Sequence, residues 1–301
     1  SLQEHGYGKV LGIEQISLDE DAIGRVIAEP IWARISSPHY HASAMDGFAL
    51  RSVDTLDASQ TNPVILKSPD QIKYMDTGDP IPDWADCVVP IENVESLDEF
   101  GKQAVNPRAP EKIQIRASLV PWSHIRPVGE DIVASQLVLP AGHTIRAIDL
   151  GALAACGCVS IAVARKPVVG IIPTGTELIK IGVEPKSGDI IEYNSMVLSG
   201  NIRTWGGNSV RYPITPDVYE QIRERVQAAA NASDLVLLNA GSSAGSEDFS
   251  SRIVEELGIL LVHGVAVRPG HPVILGMIKR TQQAEDQPGF TPIIGVPGYP
   301  V

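Results

Sequence analysis

Residues 168–178, VVGIIPTGTEL, and residues 234–248, DLVLLNAGSSAGSED, decide the fold class of this chain. Each stretch begins with a run of Val, Ile and Leu, which is typical of a buried strand. Each run passes into Gly, Ser and Thr, and carboxylates follow at once: Glu177 in the first stretch, Glu247 and Asp248 in the second. Small residues let backbone N–H groups approach an anion, and a following helix adds partial positive charge. Because carboxylates repel an anion unless a divalent cation lies between them, the pattern favours an enzyme that handles phosphates or oxyanions with Mg²⁺.

Composition and charge limit the functions open to this chain. With 301 residues, of which 44% are hydrophobic and 20% charged, it is expected to fold into two or three domains. Its formal net charge of −12 argues against a nucleic-acid-binding surface, which needs a basic face. No apolar stretch approaches a membrane span, and the start, SLQEHGYGKV, lacks the layout of a signal peptide. Cys87, Cys156 and Cys158 are expected to be buried thiols in a reducing cytosol.

The first half of the chain is predicted to be mostly β structure. A capping box at residues 17–20 predicts a short amphipathic helix through Ile23, Val26 and Ile27. From about residue 36 to residue 118, short alternating runs lie between Pro, Gly and Asp turns, which is typical of an all-β module. Its expected strands cover residues 49–53, 64–67, 87–94 and 113–117. A brief helix is expected at residues 145–155.

From Arg165 onward, predicted strands and helices alternate. The strands are expected at residues 168–173, 209–214, 235–239, 260–267, 273–278 and 292–296, with a hairpin tip at 279–289. The helices are expected at residues 194–204, with Asn194 as N-cap, and at 217–229 and 248–257. This alternation predicts a doubly wound α/β domain with a parallel sheet. Ligands bind such sheets at the carboxyl ends of the strands, where both opening loops would lie.

Further loops accompany the first two in a fixed order. They are SAMDG at residues 43–47, TGDPIP at 77–82, RPVGEDI at 126–132, RPGHP at 268–272 and VPGYP at 296–300. Any one of these loops alone would be a weak signal. The ordered set resembles the molybdopterin molybdenumtransferase family, which includes MoeA and the gephyrin E domain, from about residue 17 to residue 301.

The resemblance implies a function and an architecture. It implies a cytoplasmic transferase that inserts molybdate into adenylylated molybdopterin with Mg²⁺, releasing AMP and molybdenum cofactor. It implies an elongated homodimer with a cleft between the α/β domain of one subunit and the β module of the other, and a MogA-like molybdopterin adenylyltransferase as upstream partner. The implied domains are a split N-terminal linker domain (1–36 and 132–164), an inserted β module (37–131) and a MogA-like α/β domain (165–301). The family's small C-terminal β domain is expected to be missing, because the sequence stops inside the last motif.

Site residues follow from the resemblance, position by position. The positions that match the family's catalytic acids are Asp46, Asp131, Glu177, Asp217 and Asp248. The expected Mg²⁺ ligands among them are Glu177, Asp217 and Asp248. The positions that match its substrate-binding loops are Thr77, Gly78, Thr174, Gly175, Gly241, Ser243, Gly245, Arg268, Gly270, His271, Pro297, Gly298 and Pro300. This set suits the chemistry, since displacing AMP needs charge neutralisation and positioning more than a protein nucleophile.

Five positions depart from the family's pattern. They are Thr176, where Asp is common; Ala240, where Gly is common; Gly264 and His271, where Lys is common; and Tyr299, where Asn is common. Two cationic positions are thereby weakened, because His is mostly neutral at pH 7. Two alternatives to molybdenum insertion therefore stay open: a MoeA-like binding or scaffold protein with an altered site, and a transferase acting on another phosphorylated ligand.

Overall fold

The computed structural model describes Glu4 and residues 11–239, 246–266, 272–282 and 288–297, with the backbone alone for 246–248. The chain folds into two compact units. The first, which we call the β unit, comprises Ile16–Ile23 and Glu29–Ile161. The second, the α/β unit, comprises Ser1–Gln15, Gly24–Ala28 and Ala162–Val301. A division of the first unit into a linker domain and an inserted module stays a prediction.

Short strands dominate the chain up to residue 164. In order they are β1 (Ile13–Ser17), β2 (Ile31–Trp32), β3 (Ala42–Ser43), β4 (Gly47–Leu50), β5 (Val64–Lys67), β6 (Lys73–Met75), β7 (Cys87–Pro90), β8 (Val94–Leu97), β9 (Lys112–Ile115), β10 (Ile125–Arg126), β11 (Leu137–Leu139) and β12 (Ser160–Ala164). Two antiparallel sheets have the orders β6-β4-β7 and β5-β9-β8, and β1, β2 and β3 pair with β12, β11 and β10. Helix α1 (Ala147–Ala155) precedes β12.

An apolar core holds the β unit together. Phe48 and Leu50 of β4 pack in one buried cluster with Leu66 of β5 and with Ile113 and Ile115 of β9. The expected strand at residues 64–67 is confirmed. The single run expected at residues 87–94 is split, because β7 ends at Pro90 and a 3₁₀ turn, Ile91–Asn93, separates it from β8. Proline cannot donate to a strand ladder, which explains the break.

The α/β unit is a sheet with helices on both faces. Its strands are β13 (Val168–Pro173), β14 (Leu178–Ile179), β15 (Ile190–Ile191), β16 (Asn208–Arg211), β17 (Leu235–Asn239), β18 (Gly258–His263), β19 (Ile274–Lys279) and β20 (Phe290–Val296). Its helices are α2 (Asn194–Thr204), α3 (Tyr219–Ala232) and α4 (Ser246–Leu257). The main sheet has the order β16-β13-β17-β20-β19-β18, and β14 pairs with β15.

Alternate residues of the strands bury opposite faces of this sheet. Ile171 of β13 packs with Ile202 of α2, whereas its neighbour Ile172 packs with Val226 of α3 and Ile253 of α4. The doubly wound fold is therefore confirmed. The expectation of a parallel sheet is correct only for β16, β13, β17 and β20, because β19 runs antiparallel to both β18 and β20. The hairpin predicted around residues 279–289 produces this reversal.

The helix predicted after the capping box at residues 17–20 is wrong. The segment forms a single 3₁₀ turn, Glu20–Ala22, in which the Asp19 side chain accepts a hydrogen bond from the Asp21 N–H. Gly24 then takes a left-handed backbone with φ +79°, and Ile27 makes a β-bridge to Val163. Pairing with an extended neighbour therefore prevails over a helical pattern of only a few residues. The helix expected from residue 217 begins at Tyr219, two residues later.

The three cysteines are free and buried, as expected. Burial, with a smaller contribution from Asp86, raises the pKa of the Cys87 thiol to about 12. Burial and the neighbouring Cys156 raise the pKa of Cys158 to about 11. These thiols are poor nucleophiles at neutral pH. Among the described residues, no helix combines the length and hydropathy needed to cross a bilayer.

An ion pair ties the start of β13 to the start of β17. Arg165 donates two hydrogen bonds to the Asp234 carboxylate, at 2.8 and 2.9 Å, and the Val168 N–H donates a third at 2.7 Å. Burial opposes ionisation of Asp234, but these donors prevail and its pKa lies below the ordinary value of 3.8. The pair thus fixes the edge of the sheet opposite to the strands' carboxyl ends.

Replacing Asp234 with Asn is expected to destabilise the α/β unit by about 2 kcal/mol at pH 7, because Arg165 loses its charged acceptor. Since folding lowers this pKa, the stabilisation is full above pH 3.8 and disappears as the pH falls through the folded-state pKa. Thermal unfolding midpoints of both proteins at pH 7 and in strong acid measure the effect. If the difference in thermal midpoint between the two proteins is as large in strong acid as at pH 7, this explanation is contradicted.

Candidate active site

The SAMDG loop places Asp46 against Thr77 in the β unit. Asp46 lies between β3 and β4, and its Oδ1 accepts hydrogen bonds from the N–H and the hydroxyl of Thr77, each at 2.8 Å. The next residue, Gly78, has φ +94° and donates its N–H to Ser43 O at 2.8 Å. The loops at residues 43–47 and 77–82 therefore meet, as expected of two segments that line one site.

Arg108 completes this cluster, although sequence analysis did not single it out. Its Nη2 lies 3.8 Å from Asp46 Oδ2, and its Nη1 lies 3.8 Å from Asp76 Oδ1. The guanidinium also lies 5.6 Å from the centre of the Tyr74 ring. A basic residue in a turn carries no sequence signal that it contacts an acid in a distant loop.

Hydrogen bonding keeps Asp46 ionised at neutral pH. The backbone N–H of Thr77 and then its hydroxyl lower the pKa of Asp46 below 3.8; burial opposes them, and Arg108 adds a smaller lowering effect. The carboxylate remains 44% exposed, so it can still contact a ligand. A carboxyl group with a lowered pKa serves as an acceptor or cation ligand rather than as a proton donor at pH 7.

Asp131 of the GEDI motif pairs with a basic neighbour. Arg126 Nη2 donates to both of its oxygens, at 3.0 and 2.9 Å, and Arg126 Nε donates to Glu130. Arg126 belongs to β10 and pairs across with Ala42 of β3, the strand that leads into the SAMDG loop. The motif thus lies on the same two-stranded ribbon as that loop, within the β unit.

In the α/β unit, the TGTEL loop follows β13 at the carboxyl edge of the sheet. Both the N–H and the hydroxyl of Thr174 donate to Asn239 O, at 2.9 and 3.1 Å. The Gly175 N–H donates to Thr215 O at 3.1 Å. Three strand ends, those of β13, β16 and β17, are therefore joined at the edge where ligands bind such sheets.

Glu177 and Asp217 flank this loop. Thr176 donates its N–H to Asp217 Oδ2 at 3.3 Å, and the Asp217 N–H donates back to the Thr176 hydroxyl at 3.2 Å. A Cβ on Gly175 would lie 2.9 Å from Glu177 Oε2, so the glycine leaves room for that carboxylate to fold over the loop. Thr176, one of the five departures, thus positions Asp217, a predicted site acid.

The Mg²⁺ expected from the sequence fits this pair of acids. Asp217 Oδ1 is buried and has no hydrogen-bond partner among the described residues. Such an oxygen is costly to bury unless a cation or donor compensates it. The described residues contain no group of three or more metal-binding side chains. Two carboxylates completed by substrate phosphates are, however, a usual protein ligand set for Mg²⁺.

Several predicted residues can be placed only in part. Pro297 directly follows Val296 of β20, which pairs with Asn239, so it lies at the same edge of the sheet. Gly264 follows β18 with φ +79°, a backbone conformation that favours glycine. The predicted positions outside the described residues are Ala240, Gly241, Ser243, Gly245, Arg268, Gly270, His271, Gly298, Tyr299, Pro300 and the side chain of Asp248.

Glu192, Ser195 and Arg211 form a polar network that sequence analysis missed. Glu192 accepts hydrogen bonds from the Ser195 N–H at 2.7 Å and from its hydroxyl at 2.6 Å. Arg211 Nε donates to the Ser195 hydroxyl at 2.8 Å. Glu192, rather than the expected Asn194, therefore satisfies the N-terminus of α2. Asn194 instead donates from its amide to the Asn239 side chain at 3.1 Å.

Two family models match almost the whole chain. Residues 3–157 match the family described as "MoeA N-terminal region (domain I and II)". Residues 170–301 match the family described as "Probable molybdopterin binding domain". The chain belongs to the MoeA family.

Individual MoeA-family relatives agree with this result. The molybdopterin molybdenumtransferase of Bacillus subtilis (strain 168) is 31% identical over 267 residues, which are 83% of this chain and 60% of that protein. Molybdopterin molybdenumtransferase 2 of Mycobacterium tuberculosis (strain H37Rv) is 30% identical over 302 residues, which are 93% of this chain and 69% of that protein. The chain thus spans between 60% and 69% of the length of these two relatives.

A solved MoeA structure shows the same fold. The molybdopterin biosynthesis MoeA protein from Pyrococcus horikosii superposes with a TM-score of 0.80 at 30% identity. The match covers 99% of this chain and 73% of that chain. The MoeA-type fold expected from the motif order is therefore confirmed.

Proposed function

We propose that this chain is a molybdopterin molybdenumtransferase that inserts molybdate into adenylylated molybdopterin with Mg²⁺ and releases AMP. The observation that carries the proposal is the buried Asp217 Oδ1, which lacks a partner among the described residues at the carboxyl edge of a family-typical sheet. Family membership supports the substrate class. The two carboxylate-bearing loops, at residues 43–47 and 174–177, support the assignment of the site.

The α/β unit would hold the charged part of the substrate. When bound, Mg²⁺ would neutralise charge on the phosphate that is displaced. Glu177 and Asp217 would hold that ion, and Thr176 would keep Asp217 in place through its two hydrogen bonds. The backbone of residues 174–175, joined to Asn239 and Thr215, would give the phosphate a fixed surface to bind.

The β unit would contribute positioning rather than proton donation. Asp46 is ionised at neutral pH and has Oδ1 bound to Thr77, so Oδ2 is the atom that can accept from a ligand. Arg108, 3.8 Å from that oxygen, would bring positive charge to the same surface. Exposed Asp131, paired with Arg126, would face a ligand in a fixed orientation.

Expression in a strain that lacks molybdenumtransferase tests the proposal. We expect the chain to restore nitrate reductase activity, with soluble protein verified in the same cells. Failure to restore activity despite soluble protein would contradict the proposed function. Calorimetry with Mg²⁺ and adenylylated molybdopterin addresses the scaffold alternative, since a scaffold without a functional site would show no heat of binding.

Replacing Asp46 with Asn is expected to slow AMP release by a factor of about ten or more, because the charged acceptor at Oδ2 is lost. The thermal midpoint should change little, since the side chain is exposed and the amide can still accept from Thr77. Asp83→Asn, at another exposed acid of the same unit, is the matched control and should keep full activity. Equal rates in the two variants would remove Asp46 from the site.

The homodimer, the cytoplasmic location and the MogA-like upstream partner are further parts of the proposal. They rest on the resemblance to the family. Under this proposal the acids of the β unit and those of the α/β unit act in one cleft supplied by two copies of the chain.

A further inference from the structure

The α/β unit contains a surface recess. It has a volume of about 490 Å³ and is lined by Lys180, Ile181, Glu192, Arg211 and residues 212–214. That volume lies in the range of small-molecule sites. No family motif identified in the sequence assigns a role to Lys180 or Arg211.

Arg211 is held rigidly at the wall of this recess. Its Nε donates to the Ser195 hydroxyl at 2.8 Å, and its Nη2 lies 3.5 Å from Glu192 Oε2. Ser195 is only 1% exposed and the Glu192 side chain only 6% exposed, so this anchor is buried. The Arg211 side chain itself remains 41% exposed. A guanidinium has five N–H donors, and only Nε forms a hydrogen bond to the described residues, so several can reach a ligand.

Lys180 provides a second positive charge. It follows β14, three residues after Glu177, and forms no ion pair with the described part of the chain. The negative charge of Glu192 is already engaged by two hydrogen bonds from Ser195. The side chains free to bind a ligand in the recess are therefore cationic, which favours an anion.

The remaining walls suit a flat ring. Tyr212, Pro213, Ile214 and Ile181 present aromatic and aliphatic surface in the same recess. The Tyr212 ring is fixed in place, because Arg225 lies 5.8 Å from its centre and the Tyr212 N–H donates to Ile171 O. A planar ring packed on such walls would place an attached phosphate near the two cations.

The segments that line the recess also carry residues of the candidate active site. Ile214 precedes Thr215, which makes a β-bridge to Thr174, and Asp217 lies two residues further on. On the other wall, the Ile190 N–H donates to Glu177 O and the Glu192 N–H donates to Ile179 O. One ligand could therefore occupy the recess and contact Glu177 and Asp217.

We propose that Arg211 and Lys180 form an anion subsite that binds the phosphate of a phosphorylated flat-ring ligand beside the acids. The identification of that ligand as part of the substrate rests on the proposed function; the subsite itself does not. Adenosine monophosphate and a phosphorylated pterin share this chemistry. Gly264 and His271 stand where Lys is common in the family. Arg211 and Lys180 would thus supply positive charge that these two positions lack.

Calorimetric titration of the purified chain with AMP, and separately with hydroxymethylpterin phosphate, tests the subsite. We expect at least one of the two to bind, and Arg211→Gln and Lys180→Gln each to weaken binding about tenfold, because each loses a charge-assisted contact. Arg203→Gln is the matched control, since it removes the same charge from an exposed position in the last turn of α2 that does not line the recess. Its affinity should equal that of the wild type. The ligand that binds identifies the source of the phosphate.

Three results would overturn the subsite: no binding of either ligand, unchanged affinity in Arg211→Gln and Lys180→Gln, or an equal loss of affinity in Arg203→Gln. Circular dichroism of each variant verifies folding, and the exposed Lys180 variant serves if Arg211→Gln does not fold. If the wild type releases AMP from adenylylated molybdopterin while Arg211→Gln and Lys180→Gln bind the tested ligand as tightly as the wild type, the subsite is wrong and the proposed function stands. If binding falls as expected but no AMP is released from adenylylated molybdopterin, the proposed function is wrong and the subsite stands.

Discussion

Asp217→Asn is expected to lower the rate of AMP release from adenylylated molybdopterin by a factor of about 100, because it removes the charge that holds the cation at the phosphate. The same variant should lose most of the increase in thermal midpoint that Mg²⁺ gives the wild type. Without Mg²⁺ the variant should be no less stable than the wild type. The wild-type Asp217 Oδ1 is buried and has no hydrogen-bond partner among the described residues, so removing the negative charge costs no stability. Rates and midpoints with and without Mg²⁺ provide the measurement.

Glu220→Gln is the matched control for Asp217→Asn. Glu220 is an exposed acid in the first turn of α3, close in sequence to Asp217. This variant should keep both the rate and the Mg²⁺ response of the wild type. If Asp217→Asn instead lowers the midpoint without Mg²⁺ and keeps its Mg²⁺ response, Asp217 is a structural acid that positions Thr176.

Gly47→Ala is expected to destabilise the β unit by more than about 4 kcal/mol, the range reached only by severe steric or buried-polar defects. A Cβ at residue 47 would lie 2.0 Å from Val89 O and 3.0 Å from Pro90 Cα. Both are backbone atoms of β7, which pairs directly with β4, so neither can move without breaking the sheet. Since Gly47 follows Asp46, activity should fall as well. Thermal unfolding followed by circular dichroism measures the effect.

Gly151→Ala provides the contrast. Gly151 lies inside α1, and a Cβ there would meet nothing within 4 Å. Alanine should stabilise the helix by about 1 kcal/mol relative to glycine. A Gly47→Ala protein as stable as Gly151→Ala would show that β4 and β7 do not approach each other as described.

Local sequence patterns predicted much of the α/β unit because its elements are long and regular. Strand β13 and helix α2 match the predicted bounds, and β17 does so as well. The sequence predicted the hairpin at residues 279–289, yet the sheet was still expected to be parallel, because a buried strand shows the same apolar run whichever way it points. The helix predicted through Ile23 failed because its stability depended on a neighbour, and the neighbour available was the extended residue Val163.

Motif order singled out the loops at residues 43–47 and 77–82, but it did not predict the contacts between them. The hydrogen bonds of Asp46 to Thr77 join residues 31 apart in sequence, and no local pattern encodes such a pairing. Arg211 was missed for a similar reason, since its placement depends on a hydrogen bond to Ser195, a helix residue in a different segment. Sequence analysis identified Thr176 only as a departure from the family's pattern, whereas the structure shows it exchanging two hydrogen bonds with Asp217.

Mixing the two impaired variants Asp46→Asn and Asp217→Asn tests the central claim most directly. If each cleft takes Asp46 from one copy and Asp217 from another, randomly mixed dimers regain one intact cleft in half of the molecules. AMP release, dependent on molybdate and Mg²⁺, should then recover to about a quarter of the wild-type rate. No recovery in a mixture shown to exchange subunits, or AMP release that proceeds equally without molybdate, would contradict the account.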